Sequence, residues 1–393
     1  MKKWSLLGLT FVLLLSGCIP SIERSEEDVI IVEETEEEEE QQFIITPTID
    51  SPDNFYRNVL VDGKYHRSEA RGAAHAMDEI RVDLNQFELG LMEIASGIYD
   101  QEEYYFQEGQ FLDSDTVNSW LRRYDPDEPR YEFGLNPPLG EGDDDEEKMS
   151  SNPLVLSHIM EHNYFTGNEE DGVNLGGMVI GLSLRSTYYF RTEDEEGKYN
   201  FYEEPLDHEE RLEMGREMAQ EILERLRERE ELTEIPITFA LYGEEDRGSV
   251  VPGGFVSIAE VGRGASEIEG WESVSEDYVV FPSGEARDNQ PNLSSAFTQF
   301  RDDIEEFFDR TVGVVGKGRY KNDTLEELTI EVNLQSHGKA EIVALTQFIS
   351  GRIDSTFTTQ APINIYLESI NGSEALIVHY PDTEQEPFIH VYK

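Results

Sequence analysis

Two stretches of this chain follow one plan. MVIGLSLRS (178–186) leads into a helical pattern and then PITFALY (236–242). LTIEVNLQS (328–336) leads into a helical pattern and then PINIYLE (362–368). Met178, Ile180, Leu182 and Leu184 alternate with smaller or polar residues, as do Leu328, Ile330, Val332 and Leu334. A period of two reads as a strand in a sheet with one buried face. Between the strands, Leu212, Gly215, Ala219, Ile222 and Leu226 recur at helical spacing, and so do Ile342, Leu345, Ile349 and Ile353. A helix joining two strands of one sheet usually crosses over, right-handed, and makes them parallel. The pattern predicts an α+β fold of two related α/β lobes, each with a strand–helix–strand crossover.

Other elements fit that frame. Leu84, Phe87, Leu91, Ile94 and Ile98 mark a further helix, and Phe297, Phe300, Ile304 and Phe307 another. Asp207 with Glu210 three residues on is the start signal of a capping box. The expected division is a signal peptide over 1–17, a linker over 18–53, an N-terminal lobe over 54–243 and a C-terminal lobe over 244–393.

The N-terminus has a separate logic. Lys2 and Lys3 precede an apolar run from Trp4 to Leu15. A membrane-spanning helix needs roughly 20 apolar residues, so this run is short for one. Basic start, short apolar run and small residues together read as a secretory signal. Leu15, Ser16 and Gly17 precede Cys18, the one cysteine in the chain. That is a lipobox, and with no second cysteine an internal disulfide is excluded. The thiolate is the strong nucleophile among side chains, which suits it to accept a diacylglyceryl group. Two palmitate-like acyl chains, at about 0.8 kcal/mol per buried CH2, hold a protein stably on a bilayer. The expected location is extracytoplasmic, lipid-anchored to the outer face of the cytoplasmic membrane. The expected partners are that membrane, the lipoprotein-processing enzymes and an unidentified extracellular ligand.

The chain carries 84 acidic and 31 basic residues, a formal charge of −53. Losing Lys2 and Lys3 with the signal makes the mature chain more acidic still. Nucleic acid, whose binding rests on cation contacts with phosphate, is excluded as a partner, and anionic lipid repels such a surface too. Glu26 to Glu40 holds ten acidic residues. Such a run self-repels, so the linker is expected to be a disordered tether reaching about 30 Å or more. Its apolar pieces, Val29–Val32 and Phe43–Ile45, are too small to fold alone. GDDDEE (142–147) and NEEDG (168–172) do not follow the calcium-loop pattern.

SHIMEHN (157–163) contains His158, Glu161 and His162, the inverted zinc-peptidase spacing. That chemistry needs a helix, where residues four apart share a face. Here Leu154, Leu156, His158, Met160 and His162 alternate with their neighbours as on a strand, where the two imidazoles would stand about 13 Å apart. No metal, cofactor or catalytic residue is assigned. GKGRYKND (316–323) lacks phosphate-loop spacing and reads as a turn into a strand. The YYF groups at 104–106 and 188–190 read as sheet packing, although they could stack on a sugar or peptide. SVVPGGF (249–255) carries a Pro-Gly turn signal, and Val250, Val251, Pro252, Gly253, Gly254 and Phe255 form a candidate loop site.

The chain resembles the CamS family of sex-pheromone-precursor lipoproteins from Gram-positive bacteria. The resemblance is carried by YYFQEGQFLDSDTVNSWL (104–121), GLNPP (134–138), NPLVLSHIMEHNY (152–164), SVVPGGF (249–255), VGVVGKGRYKND (312–323) and EPFIHVY (386–392). In the member that names the group, proteolysis of the cleaved signal releases a short hydrophobic peptide that starts plasmid conjugation in enterococcal donors. The resemblance places that peptide here within Phe11, Val12, Leu13, Leu14, Leu15, Ser16 and Gly17. It implies a non-enzymatic surface lipoprotein whose mature lobes bind something or support the envelope. The alternatives are an envelope-associated enzyme or a solute-binding lipoprotein with its site between the lobes.

Overall fold

The computed structural model describes residues 43–47, 55–71, 82–168, 172–308, 312–334, 338–381, 383 and 386–393. The lipobox, Cys18, the Phe11–Gly17 segment, Val29–Val32 and the Glu26–Glu40 run lie outside them. Among the described residues no helix is long and apolar enough to cross a membrane.

The first sheet takes β1 (Phe43–Ile45), β2 (Arg57–Val61), β3 (Tyr105–Glu108), β4 (Leu156–Asn168) and β5 (Gly172–Leu184) side by side. A separate hairpin, β6 (Thr187–Glu193) and β7 (Tyr199–Pro205), intervenes in the chain. The sheet then continues with β8 (Ile237–Gly243), β9 (Gly254–Val261) and β10 (Glu272–Ser273). The second sheet runs in chain order through β11 (Glu276–Phe281), β12 (Gly313–Lys321), β13 (Thr324–Leu334), β14 (Ile363–Ser369), β15 (Gly372–His379) and β16 (Phe388–Val391). Both lobes mix helices and sheets, and the α+β expectation holds.

The repeat runs deeper than the two sequence matches. Neighbouring strands from β3 to β10 pair antiparallel, antiparallel, parallel, antiparallel and antiparallel, and β11 to β16 pair in the same succession. Met178 opens opposite Ile237 as Leu328 opens opposite Ile363. Met178 N–H donates to the Pro236 carbonyl at 3.1 Å, and Leu328 N–H to the Pro362 carbonyl at 2.9 Å. Two irregularities recur as well. The ladder shifts after Leu241 and, at the matching place, after Leu367. It also shifts between Tyr164 and Phe165, skipping Gly176, and between Arg319 and Tyr320, skipping Glu326. A bulge leaves a residue unpaired and bends its strand. Two bulges at matching registers mark one design used twice.

The crossover helices are α4 (His208–Arg227) and α7 (Lys339–Ser350). The Asp207 side chain accepts from Glu209 N and Glu210 N, capping α4. In the second lobe β13 buries one face, as expected: Leu328, Ile330, Val332 and Leu334 pack with Ile342, Leu345 and Ile349 of α7. They also meet Phe297, Phe300 and Ile304 of α6 (Pro291–Phe308). In the first lobe the one-face expectation fails. Residues 176–184 of β5 are buried throughout. Met178, Ile180, Leu182 and Leu184 face α4, and the small residues between them face α1 (Leu84–Ser96). A Cβ on Gly181 would lie 2.6 Å from Phe87 Cζ and 2.8 Å from Leu91 Cδ1. One on Gly177 would lie 2.3 Å from the Tyr99 ring. The alternation in MVIGLSL therefore encodes a seat for a second helix, not a wet face.

Two boundaries move. Phe43–Ile45, expected in the tether, pairs as β1 with β2 and puts Ile45 into a small core with Val59 and Tyr105. Too short to fold alone, it borrows the edge of an existing sheet. The lobe boundary expected at 243/244 lies further on, because β9 and β10 complete the first sheet. The chain passes to the second sheet between Ser273 and Glu276.

The lobes meet across a charge cluster. Arg319 Nη1 donates to Glu93 Oε2 at 2.7 Å and to Glu276 Oε1 at 3.0 Å, and Lys321 Nζ reaches Glu93 Oε1 at 3.2 Å. Burial opposes the ionised Glu93, but the two cations prevail and lower its pKa. Both cations come from GKGRYKND, whose Asn322 and Asp323 take positive φ in the β12–β13 turn, as two-residue hairpin turns require.

Gly181→Val should destabilise the first lobe by about 1–3 kcal/mol through overpacking, read as a lowered denaturant midpoint. Arg319→Ala removes charge-assisted bonds to two carboxylates. It should cost about 2–3 kcal/mol, seen in calorimetry as a lower unfolding temperature and less cooperative melting of the lobes.

Candidate functional site

The repeat also shows where the lobes differ. In the second lobe the chain passes from β13 to α7 through residues 335–338. In the first, the β6–β7 hairpin is inserted between β5 and α4. This hairpin forms one wall of an open groove of about 990 Å³. The groove lies off the carboxyl ends of the parallel pair β5 and β8, where open α/β sheets bind their ligands.

The facing wall comes from the connection between α2 (Ser114–Trp120) and α3 (Asp145–Ser151). Asn136, from GLNPP, pins it. Its Nδ2 donates to the Leu121 and Leu156 carbonyls, both at 2.9 Å, and its Oδ1 accepts from Val155 N and Leu156 N, both at 2.8 Å. Every hydrogen-bonding position of this buried amide is used, and it ties the wall to the start of β4. Arg123 Nη1 adds bonds to the Pro137 carbonyl at 3.0 Å and the Asn152 carbonyl at 2.5 Å.

Aromatic rings and arginines line the groove. Tyr188 stacks on Phe190 with centroids 5.0 Å apart, and Phe190 on Tyr202 at 5.3 Å. Tyr188 and Phe190 are buried, so the sheet-packing expectation for 188–190 holds for them. Phe201 is different. It is 75% exposed on the rim, a large apolar side chain that no core requires. Four guanidinium groups lie against rings: Arg123 over Tyr188 at 5.6 Å, Arg122 over Tyr131 at 5.6 Å, Arg191 over Tyr199 at 4.4 Å and Arg247 over Tyr189 at 4.2 Å. Contacts of this kind are favourable by about 0.5–1 kcal/mol at exposed sites. Asp125 and Glu203 are the two acidic lining residues. The described lining contains no serine, cysteine or histidine. This lining suits anionic groups and flat or apolar ones.

The residues singled out from sequence lie elsewhere. His158, Glu161 and His162 sit on β4, a strand, with Glu161 on the opposite face from the histidines. Glu161 accepts from Gln110 N at 2.9 Å, Phe111 N at 3.1 Å, Leu112 N at 2.7 Å and Asn163 Nδ2 at 2.7 Å. Burial pushes its pKa up while those bonds pull it down, and the carboxylate acts as a tie for the turn after β3. His162 packs edge-on against Phe106 at 4.9 Å. Among the described residues no group of three or more His, Cys, Asp or Glu is placed to hold a metal.

The loop Val250–Phe255 does not gather polar groups. Val250 is exposed, Gly253 and Gly254 are buried, and a Cβ on Gly253 would lie 1.9 Å from the Gly243 carbonyl oxygen. Phe255 lies against Gly90 of α1, and its N–H donates to Glu276 Oε2 at 2.9 Å. The loop is part of the lobe joint. The void beside it, lined by Phe255, Glu93 and Lys321, measures about 10 Å³, too little for a ligand. The arginine groove was missed in sequence because its residues come from four separated stretches. The available signal was YYFRT facing FYEE across a hairpin, with Arg191 opposite Phe201.

The family model described as CamS sex pheromone cAM373 precursor matches residues 65–385. The chain belongs to the CamS family. The C-terminal domain of the sex pheromone staph-cAM373 precursor from Staphylococcus aureus is 30% identical, with a TM-score of 0.67 over 79% of this chain and 96% of that one. The sex pheromone precursor from Lactobacillus salivarius is 26% identical, with a TM-score of 0.78 over 89% of this chain and 99% of that one. Among curated proteins none matches.

Burial pushes the His162 imidazole down from 6.5 to about 3. The unfolded chain therefore takes up a proton that the folded one refuses. This contribution to stability is full above pH 6.5 and declines as pH falls towards 3. NMR should find the His162 ring neutral from pH 5 to 8, and His162→Phe should flatten the loss of stability between pH 6.5 and 4.

Proposed function

We propose that this CamS-family chain is a lipid-anchored surface precursor with two products. One is a hydrophobic pheromone peptide cut from Phe11–Gly17. The other is a non-enzymatic body, moored outside the cytoplasmic membrane through Cys18, that binds an extended ligand in the arginine–aromatic groove of its first lobe. The precursor half is supported by Leu15-Ser16-Gly17-Cys18 standing in a chain whose structural relatives are named sex pheromone precursors. The binding half is carried by one observation: four arginines and a stacked aromatic floor gathered in one open groove of a chain whose formal charge is −53. A site between the lobes has no comparable support, since the void beside the joint measures about 10 Å³ against about 990 Å³ for the groove.

Mass spectrometry of the native protein should find a diacylglyceryl mass on an N-terminal Cys18, and the culture medium should contain a peptide ending at Gly17. Cys18→Ala should abolish both. Cleavage of the variant after Gly17 in native yield would overturn the precursor reading.

A further inference from the structure

The wall that closes the arginine groove has a second groove on it, of about 1060 Å³. Tyr124 and Pro138 line both, so the two cavities are neighbours across the connection between α2 and α3. The other side of the second groove is α4, which contributes Met214, Glu217, Met218, Glu221, Arg225 and Glu228.

The two grooves carry opposite charge. The first sets four arginines against Asp125 and Glu203. The second sets Glu132, Glu217, Glu221 and Glu228 against Arg225 and Arg229. Both of those arginines are tied into the fold. Arg225 Nε donates to Glu221 Oε1 at 3.0 Å and its Nη1 to the Phe133 carbonyl at 2.8 Å, while Arg229 Nη1 donates to the Phe111 carbonyl at 2.5 Å. Glu217 and Glu228 are exposed. At 3.6 residues per turn, Glu217, Glu221 and Glu228 fall within about 40° of one another and rise over about 16 Å of helix. That is the length of about five residues of extended chain.

The crest between the grooves is apolar and firmly held. Tyr124 is 43% exposed and Pro138 is exposed as well. Tyr124 N–H donates to the Asn136 carbonyl at 2.8 Å, and Asn136 is the fully bonded amide that pins the wall. Exposed Phe201 and Leu139 lie on the first groove's side of this crest and exposed Phe133 on the second's. Large apolar side chains exposed in one tract mark interaction surfaces, and a crest already fixed costs little further ordering on binding.

We propose that the two grooves form one track for a linear peptide of segregated charge. Its acidic half lies among the arginines, an apolar middle crosses Tyr124 and Pro138, and its basic half meets Glu217 and Glu228. This rests on the first groove being a binding site and names the ligand it takes. A uniform polyanion such as an acidic glycan matches only half of the track, because in the second groove it would run along a row of carboxylates. Opposite charge at the two ends also fixes the direction in which the peptide lies.

The test selects from random twelve-residue peptides displayed on phage, using the mature chain with Cys18→Ser. Selected peptides should carry Asp or Glu in one half and Lys or Arg in the other. In fluorescence anisotropy, the strongest should bind at least tenfold more weakly after Arg191→Glu and Arg247→Glu together, and again after Glu217→Lys and Glu228→Lys together. Replacing that peptide's basic residues by glutamate should restore its binding to the Glu217→Lys, Glu228→Lys protein, a rescue that damage to the fold would not permit. Peptides acidic throughout, sensitive to the arginine changes and indifferent to the glutamate changes, overturn the track and keep the first groove as a site. A selection that yields no peptide, while polygalacturonate binds and is released by the arginine changes, overturns it in favour of an acidic glycan. Peptides indifferent to both pairs of changes, or binding of neither probe, overturn the track and the first-groove reading together.

Discussion

β5 has no free face, and much of the molecule is arranged around that fact. On one side its large residues meet α4, and on the other Gly177 and Gly181 let Tyr99, Phe87 and Leu91 come down onto the backbone. With the small residues in place, α1 lies close enough for its Gly90 to receive Phe255. It also carries Glu93 to where Arg319 and Lys321 of the second lobe can reach it. The end of β5 in turn launches the hairpin that walls the groove. Core packing, lobe docking and the groove thus share one strand. Interiors are close-packed, so a change of a methylene or two there is felt.

The two lobes show what a repeated plan retains and what it releases. The parallel register, the proline-carbonyl bond that opens it and both bulges recur. These are backbone features that set the sheet's bend and twist, and side chains can change around them. The partner of α1 on the sheet is not retained. Where β5 offers Gly177, Val179 and Gly181, β13 offers Glu327, Thr329 and Glu331. Those side chains keep that face of the second sheet wetter. The inserted hairpin is likewise confined to the first lobe, so the groove belongs to the divergence and not to the shared frame.

Legibility in the sequence followed the range of each signal. The strand–helix–strand units were readable because Met178–Leu184 and Leu328–Leu334 carry their period within seven residues, and Pro236 and Pro362 punctuate them. The second buried face of β5 was not readable, because a glycine opposite solvent and a glycine under a helix look alike in one dimension. β1 was missed because three residues have no period. The strand reading of His158, Glu161 and His162 held because alternation extends to both sides of the triplet. The groove was beyond reach for another reason. Asn136 looks like a loop residue until its four bonds are seen, and Arg123 and Arg247 meet the hairpin only after the sheet has brought both ends of it together.

An acidic body and an arginine-lined groove are compatible because charge acts at two ranges. At physiological ionic strength the screening length is about 8 Å, so carboxylates across the molecule contribute little inside the groove. There an anion meets mainly the groups that line it, four guanidinium ions against Asp125 and Glu203. Each of those arginines lies against a ring. Stacking uses the face of a guanidinium and leaves in-plane N–H donors able to bind a carboxylate.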